Sequence, residues 1–169
     1  METFIIGEPG KKIFIRKYGH GKNKVLFFHG FPGSSIQAQV MESLCQSDDL
    51  EVIAFDRPGF GKSDWQSNRS LLDVKKIIQL LQNEFNLKKF SVVGVSGGAP
   101  YALATMSLFP DLILKKKIIC GLGQLSEKSV ASVMPKKSLI IMKSTPKLPI
   151  KYLNWISKKF LTNLVSKNN

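Results

Sequence analysis

The chain has 169 residues, 43% of them hydrophobic, which suits one globular domain with a buried core. Its formal net charge of +13 is unevenly placed: residues 1–111 carry 13 Lys+Arg against 11 Asp+Glu, whereas 112–169 carry 12 lysines against one acid, Glu127. The two cysteines, Cys45 and Cys120, show neither paired nor metal-like spacing. This excludes a disulfide scaffold and a Cys/His metal centre, and it reads as buried thiols of a reducing compartment. Met-Glu-Thr-Phe does not begin a signal peptide, and lysines interrupt every apolar run before transmembrane length. The expected location is the cytoplasm. The lysine-rich segment could suggest nucleic acid, membrane or an acidic partner. Few aromatics interleave those lysines and no nucleic-acid motif appears, so a solvated basic face is favoured and no nucleic acid is expected.

Strand and helix patterns alternate along the chain. Lys12 to Tyr18 is a β-branched and aromatic run closed by Gly19-His20-Gly21, and Val25 to Phe28 is a continuous apolar run. Ser34 to Cys45 has helical spacing, and Glu51 to Phe55 reads as another buried strand, ended by Asp56-Arg57-Pro58-Gly59. From Ser70 to Phe85, apolar residues at 71, 74, 77, 78, 81 and 85 mark an amphipathic helix with Ser70 and Asp73 as its capping pair. Then follow strand Phe90–Val95, helix Pro100–Leu108 and strand Leu114–Cys120. Such β-α alternation predicts an α/β fold with a mostly parallel sheet flanked by helices. Beyond Gly123, Gln124 to Met134 and Pro149 to Val165 read as lysine-rich helices broken by prolines. The expected organisation is therefore a core over 1–123 and a helical segment over 124–169.

The pattern Gly94-Val95-Ser96-Gly97-Gly98, directly after an apolar strand and before a helix, carries the most chemistry. A turn that sharp needs small residues at Gly94 and Gly98, and it lifts the Ser96 hydroxyl above the sheet towards the first helical amides. This is a nucleophile elbow. A phosphate-cradling reading of Gly59-Phe60-Gly61-Lys62-Ser63 fails, because its glycine spacing is wrong and no helix starts at Lys62. No cofactor and no metal are expected.

Three segments together, His29-Gly30-Phe31-Pro32-Gly33, Asp56 to Asp64, and Gly94 to Ala104, resemble the α/β-hydrolase superfamily, over about Lys11 to Gly123. The resemblance implies that Ser96 is the nucleophile and that the backbone amides of Phe31 and Gly97 form an oxyanion hole for acyl transfer. It makes His29 and Gly30 a loop-shaping pair, not the general base, and gives Asp56 and Arg57 the bracing of the site rim. His20 is expected to be an exposed turn residue. The family's chain order is nucleophile, acid, histidine. After Ser96 the carboxylates are Asp111, at a helix end, and Glu127, a weak candidate acid; no histidine follows.

That departure leads to an expectation of a truncated hydrolase, ending within a helical lid. A serine without a base is a poor nucleophile, so ester-type hydrolysis by this chain should be absent or weak. The open edge at Leu114–Cys120 should favour a complementary fragment or homo-oligomer. Two other readings stand beside the hydrolase: a non-catalytic module that binds a ligand or partner, and a membrane-surface binder acting through the basic helical tail.

Overall fold

The computed structural model describes residues 1–121 and Ser132. Contacts gather Met1–Leu122 into one unit distinct from Gly123–Asn169, and the sheet with its helices belongs to the first. The helices expected at 124–134 and 149–165, with Glu127, lie outside the described residues.

Six strands build one sheet: β1 (Glu2–Ile6), β2 (Ile13–Tyr18), β3 (Asn23–Phe28), β4 (Leu50–Phe55), β5 (Phe90–Val95) and β6 (Ile113–Ile119), ordered β1-β2-β4-β3-β5-β6. β3, β4, β5 and β6 pair in parallel, and β1 and β2 are joined antiparallel at one end. The helices are α1 (Glu42–Ser47), α2 (Val74–Phe85) and α3 (Ala99–Leu108).

The apolar runs of β3, β4 and β5 serve two cores because successive side chains point to opposite faces. Leu26, Phe28, Ile53, Phe55, Phe90 and Val92 join Val74, Ile78 and Leu81 of α2 and Ala102 of α3 on one face. Val25, Phe27, Val52 and Ala54 join Ala38 and Cys45 on the other, whereas Cys120, expected to be buried too, follows the outermost strand β6 and is exposed. A strand covered on both faces has no polar side to show, which is why these runs do not alternate. The Ser70–Asp73 pair caps a 3-10 turn, Leu71–Asp73, that leads into α2, which itself starts later than its sequence indicates: the Ser70 hydroxyl accepts the Asp73 N–H, and Asp73 Oδ2 accepts the Ser70 N–H at 2.7 Å. It stops at Asn86, whose left-handed φ of 48° ends the helix.

Three details differ from the sequence reading. The run at 12–18 is a strand, but antiparallel to its neighbours: residues 19–22 reverse the chain into β3, and a parallel return needs a crossover of a dozen residues or more. β1 is an additional strand, anchored by Phe4 edge-on to Phe85 at 5.1 Å and by Lys17 to Glu2 at 3.0 Å. Finally, the helical stretch from Ser34 breaks into a 3-10 segment, Ser35–Met41, followed by α1.

Ile78 of α2 is fully buried between helix and sheet. Ile78→Ala should cost about 2–4 kcal/mol of folding stability, while Lys75→Ala on the exposed side should change it by less than about 0.5 kcal/mol. Urea denaturation of both variants checks this; equal midpoints would reject the assigned helix face.

Candidate active site

Ser96 follows β5 immediately and adopts φ of +47°, a left-handed backbone that a non-glycine residue accepts only under constraint. A 3-10 turn, Ser96–Gly98, then leads into α3. Close packing fixes the two flanking glycines. A Cβ on Gly94 would lie 2.6 Å from Ala102 Cβ, and one on Gly98 would run into the carbonyl oxygens of Phe28 and His29. The turn therefore rests directly on the end of β3, with Ser96 half-buried at its apex.

The loop after β3 meets it there. The side-chain direction of Gly30 points at Ser96, whose Cβ would lie 3.5 Å from an added Cβ, and that of Gly97 points at Phe31, 3.3 Å from its N. Gln37, which the sequence analysis passed over, holds this loop open. Its Oε1 accepts the Gly30 N–H at 2.7 Å and its Nε2 donates to the Pro32 carbonyl at 3.3 Å. Between these two bonds the Phe31 N–H has no acceptor among the described residues. The Gly97 N–H belongs to a first helical turn, where amides lack intrahelical acceptors. Ser96, Gly97, Gly30 and Phe31 are thus brought together. The one sequence signal for Gln37 is its place four residues beyond Gly33 at the start of a helical repeat, which turns its side chain back onto the loop.

His29 and Arg57 lie underneath, both buried. His29 Nδ1–H donates to the Gly30 carbonyl at 2.9 Å and Nε2 accepts the Arg57 N–H at 3.2 Å, so both ring nitrogens are engaged and the ring is neutral. Burial, then the nearby Arg57 charge, lowers its pKa to about 4. The Arg57 side chain donates from one terminal nitrogen to the carbonyls of His29, at 2.5 Å, and Gly97, at 3.2 Å, and from the other to that of Gly30, at 3.3 Å. Asp56 is equally buried: its carboxylate accepts the Ser35 N–H at 2.6 Å and the Lys62 N–H at 2.8 Å, with Arg16 3.7 Å away. One residue thus ties the loop after β3 to the serine turn, and its neighbour ties the 57–64 loop to the Ser35 turn. His20 is exposed, 3.7 Å from Glu2.

Phe31 and Phe60 meet edge-on at 6.1 Å, giving the site an aromatic rim, and Phe31 is 63% exposed. A concavity of about 930 Å³ lies elsewhere, between the β1–β2 turn and α2, and none of the residues above lines it. Among the described residues no cluster of three or more His, Cys, Asp or Glu could hold a metal ion, and no helix is long and apolar enough to cross a membrane.

The neutral His29 makes stability pH-dependent. In the unfolded chain it titrates near its ordinary value of about 6.5, and in the folded chain at about 4. Between these values the unfolded state binds more protons, so the contribution is intact above pH 6.5 and is lost as pH falls towards 4, by about 3 kcal/mol. His29→Asn should flatten stability between pH 7 and 4.5, measured by urea denaturation. Parallel pH profiles for the two proteins would refute it.

A family model described as alpha/beta hydrolase fold matches residues 23–168. The chain is 23% identical over 155 residues to "Uncharacterized hydrolase YugF" of Bacillus subtilis (strain 168), covering 89% of this chain and 53% of that protein. It is 28% identical over 130 residues to a proline iminopeptidase of Lactobacillus crispatus (strain ST1), covering 74% and 43%. The chain therefore spans about half the length of the curated relatives it matches. Among solved structures, the thioesterase domain from the curacin biosynthetic pathway superposes with a TM-score of 0.67 at 25% identity, over 88% of this chain and 56% of that one. Est816, described as an N-acyl homoserine lactone degrading enzyme, gives 0.66 at 20%, over 82% and 51%. With its sheet order, its strained serine turn and a family match over most of its length, the chain belongs to the α/β-hydrolase-fold family.

Proposed function

We propose that the chain carries the nucleophile and oxyanion-hole half of a hydrolase acting on small ester or acyl substrates, with Ser96 as nucleophile. The observation behind this reading is the convergence of the Phe31 and Gly97 amides beside a left-handed Ser96. An alkoxide attacking a carbonyl at Ser96 places the developing oxyanion among backbone donors already fixed by Gln37 and Arg57. No reorganisation is then needed as charge develops. The exposed Phe31 and half-buried Phe60 favour an apolar acyl group at the rim.

Deprotonation of Ser96 needs a base, and His29 cannot serve with both ring nitrogens bonded and its pKa at about 4. His20 sits in an exposed turn before β3, and no histidine follows Ser96 in these 169 residues. The base therefore comes from outside them. Without it, turnover falls by roughly 10³–10⁶-fold, because a lone serine keeps only the oxyanion and binding contributions. With p-nitrophenyl acetate and butyrate, the 169-residue chain should hydrolyse no faster than its Ser96→Ala variant, and a fluorophosphonate probe should leave Ser96 unlabelled. Turnover well above background that vanishes in Ser96→Ala would overturn the requirement for an external base.

A second reading concerns partners. Among the described residues β6 lies at the end of the strand order, with Leu114, Ile118 and Ile119 at 58%, 40% and 50% exposure. A parallel strand with unpaired backbone groups and exposed apolar side chains is a template for another strand. The partner is a complementary segment carrying further strands, or a second copy of this chain. Light scattering coupled to size-exclusion chromatography should show self-association that Ile118→Lys weakens; a monomer across the micromolar range would remove the second-copy version.

A further inference from the structure

The parallel strands differ at their centres. Val25 to Phe28 of β3 and Val52 to Phe55 of β4 are apolar and buried, as strands covered on both faces must be. β6 continues the same parallel sheet, yet its centre is Lys115-Lys116-Lys117, all exposed. No ion pair engages any of these three lysines among the described residues.

Pairing with β5 fixes the face each residue takes. Lys116 lies beside Val92 and Ile118 beside Gly94, whereas Lys117 lies beside Val93 and Ile119 beside Val95. Ile118 Cδ1 would lie 3.1 Å from a Cβ on Gly94, where Ala102 of α3 also packs. Because successive side chains alternate, Lys116 and Ile118 share the face on which α3 lies, and Lys117 and Ile119 share the opposite one. On both faces, the open flank of β6 thus offers a lysine and, two residues on, a half-exposed isoleucine.

That order selects its neighbour. Adjacent strands lie about 4.8 Å apart, so side chains at matching positions touch. Opposite charges side by side stabilise the pair and like charges oppose it. A wholly apolar strand leaves both lysines without a counter-charge. A second copy fits worse: a two-fold axis through the centre of β6 sets Lys116 beside its own copy and Lys115 beside Lys117. The strands from β4 to β6 all run in one sense, and a strand added in that sense meets the lysines before the isoleucines. We propose that β6 takes a parallel segment with two adjacent acidic residues followed directly by two apolar ones, its acids beside Lys116 and Lys117 and its apolar pair beside Ile118 and Ile119. The proposal rests on the reading of β6 as a template for another strand, and it names the chemistry of that strand.

The test is titration of the ¹⁵N-labelled 169-residue chain with two capped peptides, followed by amide chemical shifts. Thr-Glu-Glu-Val-Val-Thr carries the expected order, and its isomer Thr-Glu-Val-Glu-Val-Thr has the same charge but puts both acids on one face. The first should move the amides of residues 115–119 and bind about fivefold or more tightly than the isomer. Lys116→Glu with Lys117→Glu should remove that preference and bind Thr-Lys-Lys-Val-Val-Thr instead, while Lys75→Glu on α2 changes nothing. Equal affinities for the two acidic isomers would leave β6 as a template but overturn its acidic partner. Shifts at 115–119 with no peptide at all would overturn the template and this proposal together. Self-association that the first peptide does not displace would make a second copy the occupant, and would overturn the proposal as well.

Discussion

A single guanidinium, that of Arg57, joins three pieces of chain that are far apart in sequence. It reaches from the end of β4 to the carbonyls of His29 and Gly30 after β3, and to that of Gly97 after β5. Each of these is a backbone group just beyond the C-terminal end of a parallel strand. Left unpaired in a buried setting, such carbonyls would each be costly, and a planar donor fork satisfies them with one side chain. The Gly30 carbonyl also accepts from His29 Nδ1, so the peptide unit whose other end is the Phe31 N–H is gripped twice. Hydrogen bonds to a carbonyl polarise its own amide, which strengthens the Phe31 N–H as a donor.

Around this clamp the architecture is a matter of small residues in the right places. Gly94, Gly98, Ala99 and Ala102 let α3 approach β5 and β3 until backbone nearly touches backbone. Asp56 keeps the opposite flank closed, with Gly61 so near that an added Cβ would strike its carboxylate. The order at the strand ends is thus enforced by packing and by buried polar bonds together. Neither would suffice alone: packing sets the distances, and the hydrogen bonds choose which amides stay unengaged.

Much of this was legible from residues. β5 occupies Phe90–Val95 as its apolar run indicates, and the Ser70–Asp73 pair begins a helix because both side chains replace missing backbone partners. The tight turn at Ser96 was legible for the same reason: the steric demand falls on Gly94 and Gly98, and glycine is its visible mark. What stayed hidden acts through groups common to every residue. The partners of Arg57 are carbonyls, which carry no sequence signature, and the two bonds of Gln37 run to the backbone of a loop. β1 was missed because an edge strand with one half-buried face has a weak pattern over five residues. The antiparallel setting of β2 depends on which strand it meets, and pairing is not a local property.

The left-handed backbone at residue 96 bears on how this site can change over time. A serine there costs about 1–2 kcal/mol that glycine would not, since glycine adopts φ of +47° freely. On the role proposed for Ser96, stability and chemistry pull in opposite directions at one codon. A lineage in which the hydroxyl no longer mattered would gain by losing it, and drift at position 96 would run towards glycine. Folding alone would favour glycine at this position.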